Sequence, residues 1–176
     1  VNNFENVLSS ANEVGYHQTD VVPAPGNIQK RLIEHVRTKY YRNDLTGELL
    51  LNGLDSLALT FESYQLAYTP DLINDIYGTK VNAALMTEGK FMHSEGDNNW
   101  WIRSGQVQYI DGAETDIDAQ NRFYVPISYM DPFGSKTRVK YYSNYFLFIE
   151  ETEDELKNKS SVDLFNFRTL TAQRIK

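Results

Sequence analysis

From Ile28 onward, apolar and polar residues alternate along most of this chain, the period-two pattern of strands half buried in a sheet. In "KRLIEHVRTKYYR" (30–42), helix propensity competes with β-branched and aromatic content, and the latter favours a strand. "NDLTGELL" then carries a turn at Gly47. "LALTFESYQLAYT" (57–69) places Leu57, Leu59 and Phe61 on one face, slips once, and continues with Tyr64, Leu66 and Tyr68, so it reads as a bulged strand. The signals then change to helical ones. Thr69 can cap, Pro70 fits the first helical position, Asp71 suits the positive end and Gly78 closes; Thr79 repeats the cap for "KVNAALMTE", closed by Gly89. Two short helices are predicted, at about 70–77 and 80–88.

Strands resume after Gly89. "KFMHS", "NWWIR" and "QVQYI" are short runs separated by "EGDN" and "SG", the spacing of a meander. "DGAETDIDAQN" (111–121) reads as an acidic loop, and "RFYVPISYM" as a strand in which Pro126 demands an edge or a bulge. Residues 1–27 are polar and end in "VVPAPGN", which blocks regular structure, so they read as a loose arm or an edge-covering segment. The expected fold is mainly β, built of antiparallel strands and hairpins with a two-helix insertion. It divides into three regions: 1–27, 28–130 and 131–176.

The third region contains a repeat. "DPFGSKTRVKYYSNYFLFIEE" superimposes on "DELKNKSSVDLFNFRTLTAQR" at a spacing of 23 residues, from Asp131 to Asp154. Lys136 meets Lys159, Thr137 meets Ser160, Val139 meets Val162, Tyr142 meets Phe165 and Leu147 meets Leu170. Each copy parses as turn, strand, break, strand, an architecture whose units bury their faces on neighbours.

Composition sharpens this picture in three ways. The 12 Tyr and 9 Phe lean to β structure. A net charge of -7 repels nucleic acid and anionic membrane on average, against which "QKRLIEHVRTKYYR" (29–42) is either a basic docking stripe or the guarded face of a sheet edge. The absence of Cys excludes disulfides and thiolate metal sites. No apolar run approaches the roughly 18 residues that span a bilayer, so direct membrane insertion is not expected. Both ends read as cut from a longer protein.

Candidate chemistry concentrates in "HSEGDNNWW" (93–101). His93 and Glu95 echo the His-x-Glu of zinc deaminases, but the required Cys-x-x-Cys partner is missing, and Gly96, Asp97, Asn98 and Asn99 are turn formers. The cluster reads as a turn, with Trp100 and Trp101 opening a strand, one toward the core and one outward or against a neighbour. A sugar or partner contact there is the second reading. Asp111, Glu114, Asp116 and Asp118 lack the calcium-loop pattern. No phosphate loop and no Gly-x-Ser-x-Gly elbow occurs. Pro132 is preset for the second position of a turn running from Asp131 to Gly134. The expected structural positions are thus Asp131, Pro132, Gly134, Gly96 and Asp97; no catalytic residue, metal or cofactor is expected.

Beyond single motifs, "DPFGSKTRVKYY" resembles the Rhs or YD repeat. "RLIEHVRTKYYRNDLTG", "LDSLALTFESYQLAYTPDLINDIYG", "ALMTEGKFMHSEGDNNWWIRSGQVQY" and "MDPFGSKTRVKYY" resemble, in that order, the B component of the bacterial insecticidal toxin complexes (Tc toxins), in the stretch leading into its Rhs repeats. The resemblance covers about residues 29–176. Tyr142 stands where the repeat has Asp, and Lys157 where it has Gly. The resemblance implies a section of an Rhs-type β-shell strip, coiled around a toxic cargo and not itself an enzyme. It implies partners in the remaining Rhs repeats and in toxin components of the B, C and channel-forming A types. It also implies a secreted, extracellular complex with no nucleic-acid partner. An isolated strip of this kind is expected to self-associate through open edges. Two rival readings stand beside it: an aromatic-rich β carbohydrate-binding module presenting Tyr141, Tyr142, Tyr145 and Phe146, and a glycoside hydrolase fragment with Glu62 and Glu95 as its carboxylate pair.

Overall fold

A computed structural model describes residues 4–94, 96–142 and 145–176. The chain is mainly β. Its elements run α1 (Phe4–Ser10), β1 (Asn12–Val14), β2 (Gln29–Arg31), β3 (Val36–Tyr40), β4 (Thr60–Tyr68), α2 (Pro70–Leu72), α3 (Ala83–Glu88) and β5 (Trp100–Gln108). Then come α4 (Asp116–Asn121), β6 (Ser128–Met130), β7 (Lys136–Tyr141), β8 (Ile149–Glu153), β9 (Lys159–Asn166) and β10 (Thr171–Ile175). Strands β10 to β3 hydrogen-bond as neighbours in unbroken reverse sequence order, the layout of a chain that adds one strand after another. Strands β1 and β2 pair separately and in parallel.

Two compact units interleave along the chain, because the long strands β4 and β5 each pass from one to the other. The unit of Val1–Val36 and Tyr64–Ile102 is centred on Tyr64, Leu66 and Trp101, with Met92 packed against them. Trp101 is fully buried, and the His35 ring meets it edge-on at 4.9 Å. Met92 and Trp101 exchange both backbone hydrogen bonds, so "KFMHS" contributes one bridge and not a strand.

The helical insertion starts where the sequence places it: the Thr69 hydroxyl accepts from Leu72 N–H at 3.2 Å and Pro70 opens α2. It departs at once, however. Ile73–Tyr77 widens into a π-turn and Gly78–Lys80 tightens into a 3-10 turn, so the second helix begins at Ala83 and not at 80. Its cap is Asn82, whose side chain accepts from Leu85 N–H, and not Thr79. Gly89 donates to Leu85 at the helix end as expected, but the left-handed residue is Lys90, at φ 64°. The arm also differs from expectation: Phe4–Ser10 is helical, and Asn12–Val14 pairs with Gln29–Arg31 across the Pro23–Gly26 loop.

The unit of Arg37–Ser63 and Arg103–Lys176 has its core at Leu45, Leu59, Tyr109 and Ala119. Tyr41 packs edge-on to Phe61 and Tyr109 and donates its hydroxyl to Val107 O; burial, then the neighbouring Tyr109 and Glu48, raise its pKa to about 12.

Two further sequence expectations give way in this unit. "SG" is no turn, because β5 runs unbroken through Ser104 and Gly105. Gly105, at φ +89°, lets the Met130 carbonyl approach: a Cβ there would lie 2.5 Å from that oxygen. "DGAETDIDAQN" is no plain loop, since Asp116–Asn121 is a helix. Thr115 and Asp118 form a capping box, the side chain of each accepting from the other's backbone N–H. The box was readable in "TDID"; Gly112 and the density of acids obscured it.

Candidate functional site

The repeat seen in the sequence is a repeat of hydrogen bonds. In the first turn Asp131 N–H donates to Ser135 O, Gly134 N–H to Asp131 O, and Ser135 N–H to the Asp131 carboxylate at 2.8 Å. In the second, Asp154 N–H donates to Asn158 O, Lys157 N–H to Asp154 O, and Asn158 N–H to the Asp154 carboxylate at 2.9 Å. Each bond recurs 23 residues on. The strand register repeats with them: Met130 opposes Lys136 as Glu153 opposes Lys159, and Val139 opposes Thr152 as Val162 opposes Ile175. Gly134 has φ +93°, and Lys157 adopts the same left-handed region at +69°.

Alternation gives the strip two faces. On one, cross-strand neighbours carry opposite charges: Lys140–Glu150 at 2.9 Å, Lys159–Glu151 at 2.8 Å, Lys159–Glu153 at 3.2 Å and Lys176–Asp163 at 3.1 Å. Around the ends of β7–β9, Tyr142, Phe148, Phe165 and Phe167 cluster with ring centroids 4.9–6.0 Å apart. Exposed ion pairs contribute little singly, but they fix which strands meet in which register.

The carboxylates of this ladder set the acid response expected of the protein. Hydrogen bonds from Lys157 and Lys159 hold the Glu153 carboxyl below its ordinary 4.5. The Asn158 side chain does so for Asp154, and Lys176 for Asp163, against an ordinary 3.8. A depressed folded pKa adds stability that is complete above the unfolded value and disappears as pH falls through the folded one. The melting temperature is therefore expected to stay level from pH 7 to about 5 and to fall progressively below about 4.5. Circular dichroism melts across that range check it; a level profile down to pH 3 contradicts it.

The described residues of the polar cluster form a turn. Gly96 has φ +76°, Asp97 N–H donates to Ser94 O, and the Asp97 carboxylate accepts from Asn99 N–H. His93 Nδ1–H donates to Asn99 O at 2.9 Å, and Trp100 stacks on the His93 ring at 4.0 Å while Trp101 turns into the core. Glu95 lies outside the described residues. Among the described residues no group of three or more His, Asp or Glu side chains is arranged to hold a metal ion. Three of the four acids of the 111–121 segment have partners: Glu114 takes two bonds from Arg122 at 2.8 Å, Asp111 pairs with Lys136 at 3.2 Å and Asp118 accepts from Thr115.

Sequence reasoning missed the most buried charge. Glu62 sits mid-β4 at 1% exposure and takes both Arg103 Nε (2.7 Å) and an Arg103 terminal nitrogen (3.0 Å). The signal was the alternation itself: Glu62, Tyr64 and Leu66 share the inward face, and Phe61 is the residue out of step. With both oxygens engaged by one guanidinium, Glu62 has the geometry of a structural ion pair. Of the aromatics offered for sugar stacking, Tyr141, Tyr142 and Phe146 are half-buried. Tyr141 and Phe146 meet at 62° and Tyr142 and Phe165 at 56°; Tyr145 is exposed.

A fold similar to this one occurs within a solved structure. One solved structure, the Photorhabdus luminescens Tc holotoxin pore carrying the TccC3-D651A mutation, contains a segment that aligns with 89% of this chain at a TM-score of 0.59. The fold is similar to that of part of a Tc toxin chain. Identity over the alignment is 15%, and the alignment spans 7% of the longer chain. A second structure, of TcdB2-TccC3-Cdc42, aligns with 79% of this chain and 8% of its own at 14% identity, with a TM-score of 0.43, too low to carry an argument. No family model and no curated protein matches the sequence. No helix among the described residues is long and apolar enough to cross a membrane.

Proposed function

We propose that this chain is a structural section of a Tc-type toxin shell: a β-strip, not itself catalytic, that encloses or helps deliver a toxic cargo. The observation that carries the reading is the 23-residue recurrence of turn bonds and strand register from Asp131 to Lys176. A strip built this way lengthens by adding hairpins, and a shell wall needs that property more than it needs a cleft. The likeness in fold to part of a Tc toxin chain supports it. Glu62 is the buried carboxylate among the described residues, and its engagement by Arg103 speaks for a structural role rather than the hydrolase reading. Partners on this reading are further Rhs repeats and the B, C and channel-forming A components, within an extracellular complex.

Strand β10 is the test. It pairs with β9 alone among the described residues and its five residues are exposed. Appending a third copy of the unit 131–153 is expected to protect the amides of 171–175 from exchange by about tenfold or more. The same addition should lessen any concentration-dependent association seen by light scattering. A clean monomer without the added unit, together with unchanged exchange at 171–175 when it is present, defeats the strip model.

A further inference from the structure

We propose that the pocket beneath the π-turn binds a small apolar cation, with Tyr68, Tyr77 and Phe91 as its walls and Glu88 as its counter-charge. The pocket has a volume of about 420 Å³, within the range of small-molecule sites, and lies wholly inside the unit of Val1–Val36 and Tyr64–Ile102. Its apolar floor is Met86, only 6% exposed. Rings form the walls. Tyr68 stands at 81° to Tyr77, with centroids 5.9 Å apart, and at 62° to Phe91, with centroids 5.4 Å apart. Rings at such angles make a corner and not a stack, and an aromatic face left open attracts a positive charge without needing hydrogen bonds from it.

Three observations point to that chemistry. Burial, then the neighbouring Tyr77, raises the Tyr68 pKa, so the phenol beside Tyr77 stays neutral and offers no competing charge. Glu88 is the one charged residue in the lining; it is exposed, and no hydrogen bond or ion pair among the described residues occupies its carboxylate. A lone carboxylate at the mouth of an aromatic corner selects against anions and favours cations, and the net charge of -7 adds to that preference. Finally, the backbone is shaped around the space. The Ile73–Tyr77 π-turn delivers Tyr77, and π-turns gather at functional sites. Gly89 lets Phe91 fold back over the pocket, since a Cβ at 89 would lie 3.2 Å from the Phe91 ring. The ligand class is an alkyl or aryl group bearing a substituted ammonium.

The whole chain is titrated with benzyltrimethylammonium, with benzyl alcohol as the neutral probe and phenylacetate as the anion, following amide shifts across 68–91. The cation is expected to saturate these shifts about tenfold more tightly than benzyl alcohol, and phenylacetate more weakly than either. Glu88→Gln should bring the cation to within about threefold of the neutral probe, and Phe91→Ala should weaken all binding. Absence of saturable shifts, equal affinity for cation and neutral probe, or an affinity untouched by Glu88→Gln overturns the proposal. Because Glu88 is exposed, its variant keeps the test decisive even if Phe91→Ala fails to fold.

Discussion

Glu62→Gln should unfold about 2–4 kcal/mol more easily than the parent chain, the largest effect expected of any conservative change here. The exchange keeps the side chain's shape and withdraws its charge. Glu62 is 1% exposed and the Arg103 side chain 28%, so the guanidinium would lose its neutralising carboxylate in a place where water replaces it poorly. Urea denaturation of both proteins measures it as a shift of midpoint at constant slope. A shift worth less than about 0.5 kcal/mol would mean that the pair is idle. Replacing both partners together, Glu62→Leu with Arg103→Met, should recover most of the loss, because no lone charge then remains in the sheet.

Gly105→Val ranks second, with an expected loss of about 2–4 kcal/mol. Two costs add at this position. The backbone is at φ +89°, and a new Cβ would meet the Met130 carbonyl at 2.5 Å and the Asp131 Cα at 3.1 Å. Gly134 separates them: it has φ +93°, but an added Cβ would meet nothing within 4 Å, so Gly134→Ala should lose only about 1 kcal/mol, the conformational part alone. Denaturation midpoints of Gly105→Ala and Gly134→Ala side by side test the ranking. Equal losses would show that β5 and the segment after β6 have room to separate.

Much of this was open to inspection in the residues. Period-two alternation located β4 and both halves of β5, though not their continuity, and the Asp131–Asp154 spacing located β7 and a repeat whose main turn bonds recur. Thr69 and Pro70 gave the start of the helical insertion. The hidden features were settled by tertiary packing. Helix propensity does not distinguish a π-turn, so Ile73–Tyr77 read as ordinary helix and the next cap was placed at Thr79 in place of Asn82. Ser104–Gly105 carries turn residues, yet a neighbouring backbone needs the space that a glycine leaves. Glu62 broke the expected hydrophobic face because its partner lies 41 residues away, at Arg103, and no local pattern announces a pair at that distance. The polar cluster at 93–101 was the reverse case, where local turn chemistry at Gly96 and Asp97 was readable and the backbone adopts it.

The recurrence also restricts how such a chain can change length. Each 23-residue unit adds one hairpin and so advances the strip by two strands, roughly 9–10 Å. A duplication or deletion of one whole unit leaves every later residue on its original face. Loss of a single residue early in β8 would instead flip the rest of that strand, turning charged positions such as Glu151 and Glu153 to the opposite side. Growth in this architecture therefore comes in whole steps, and tolerated insertions and deletions should cluster at multiples of the unit or in the breaks between strands. Lys157, left-handed where the first copy has Gly134, shows that the step outlasts its sequence signature. Related strips can then be measured by counting strand pairs where their repeats no longer look alike.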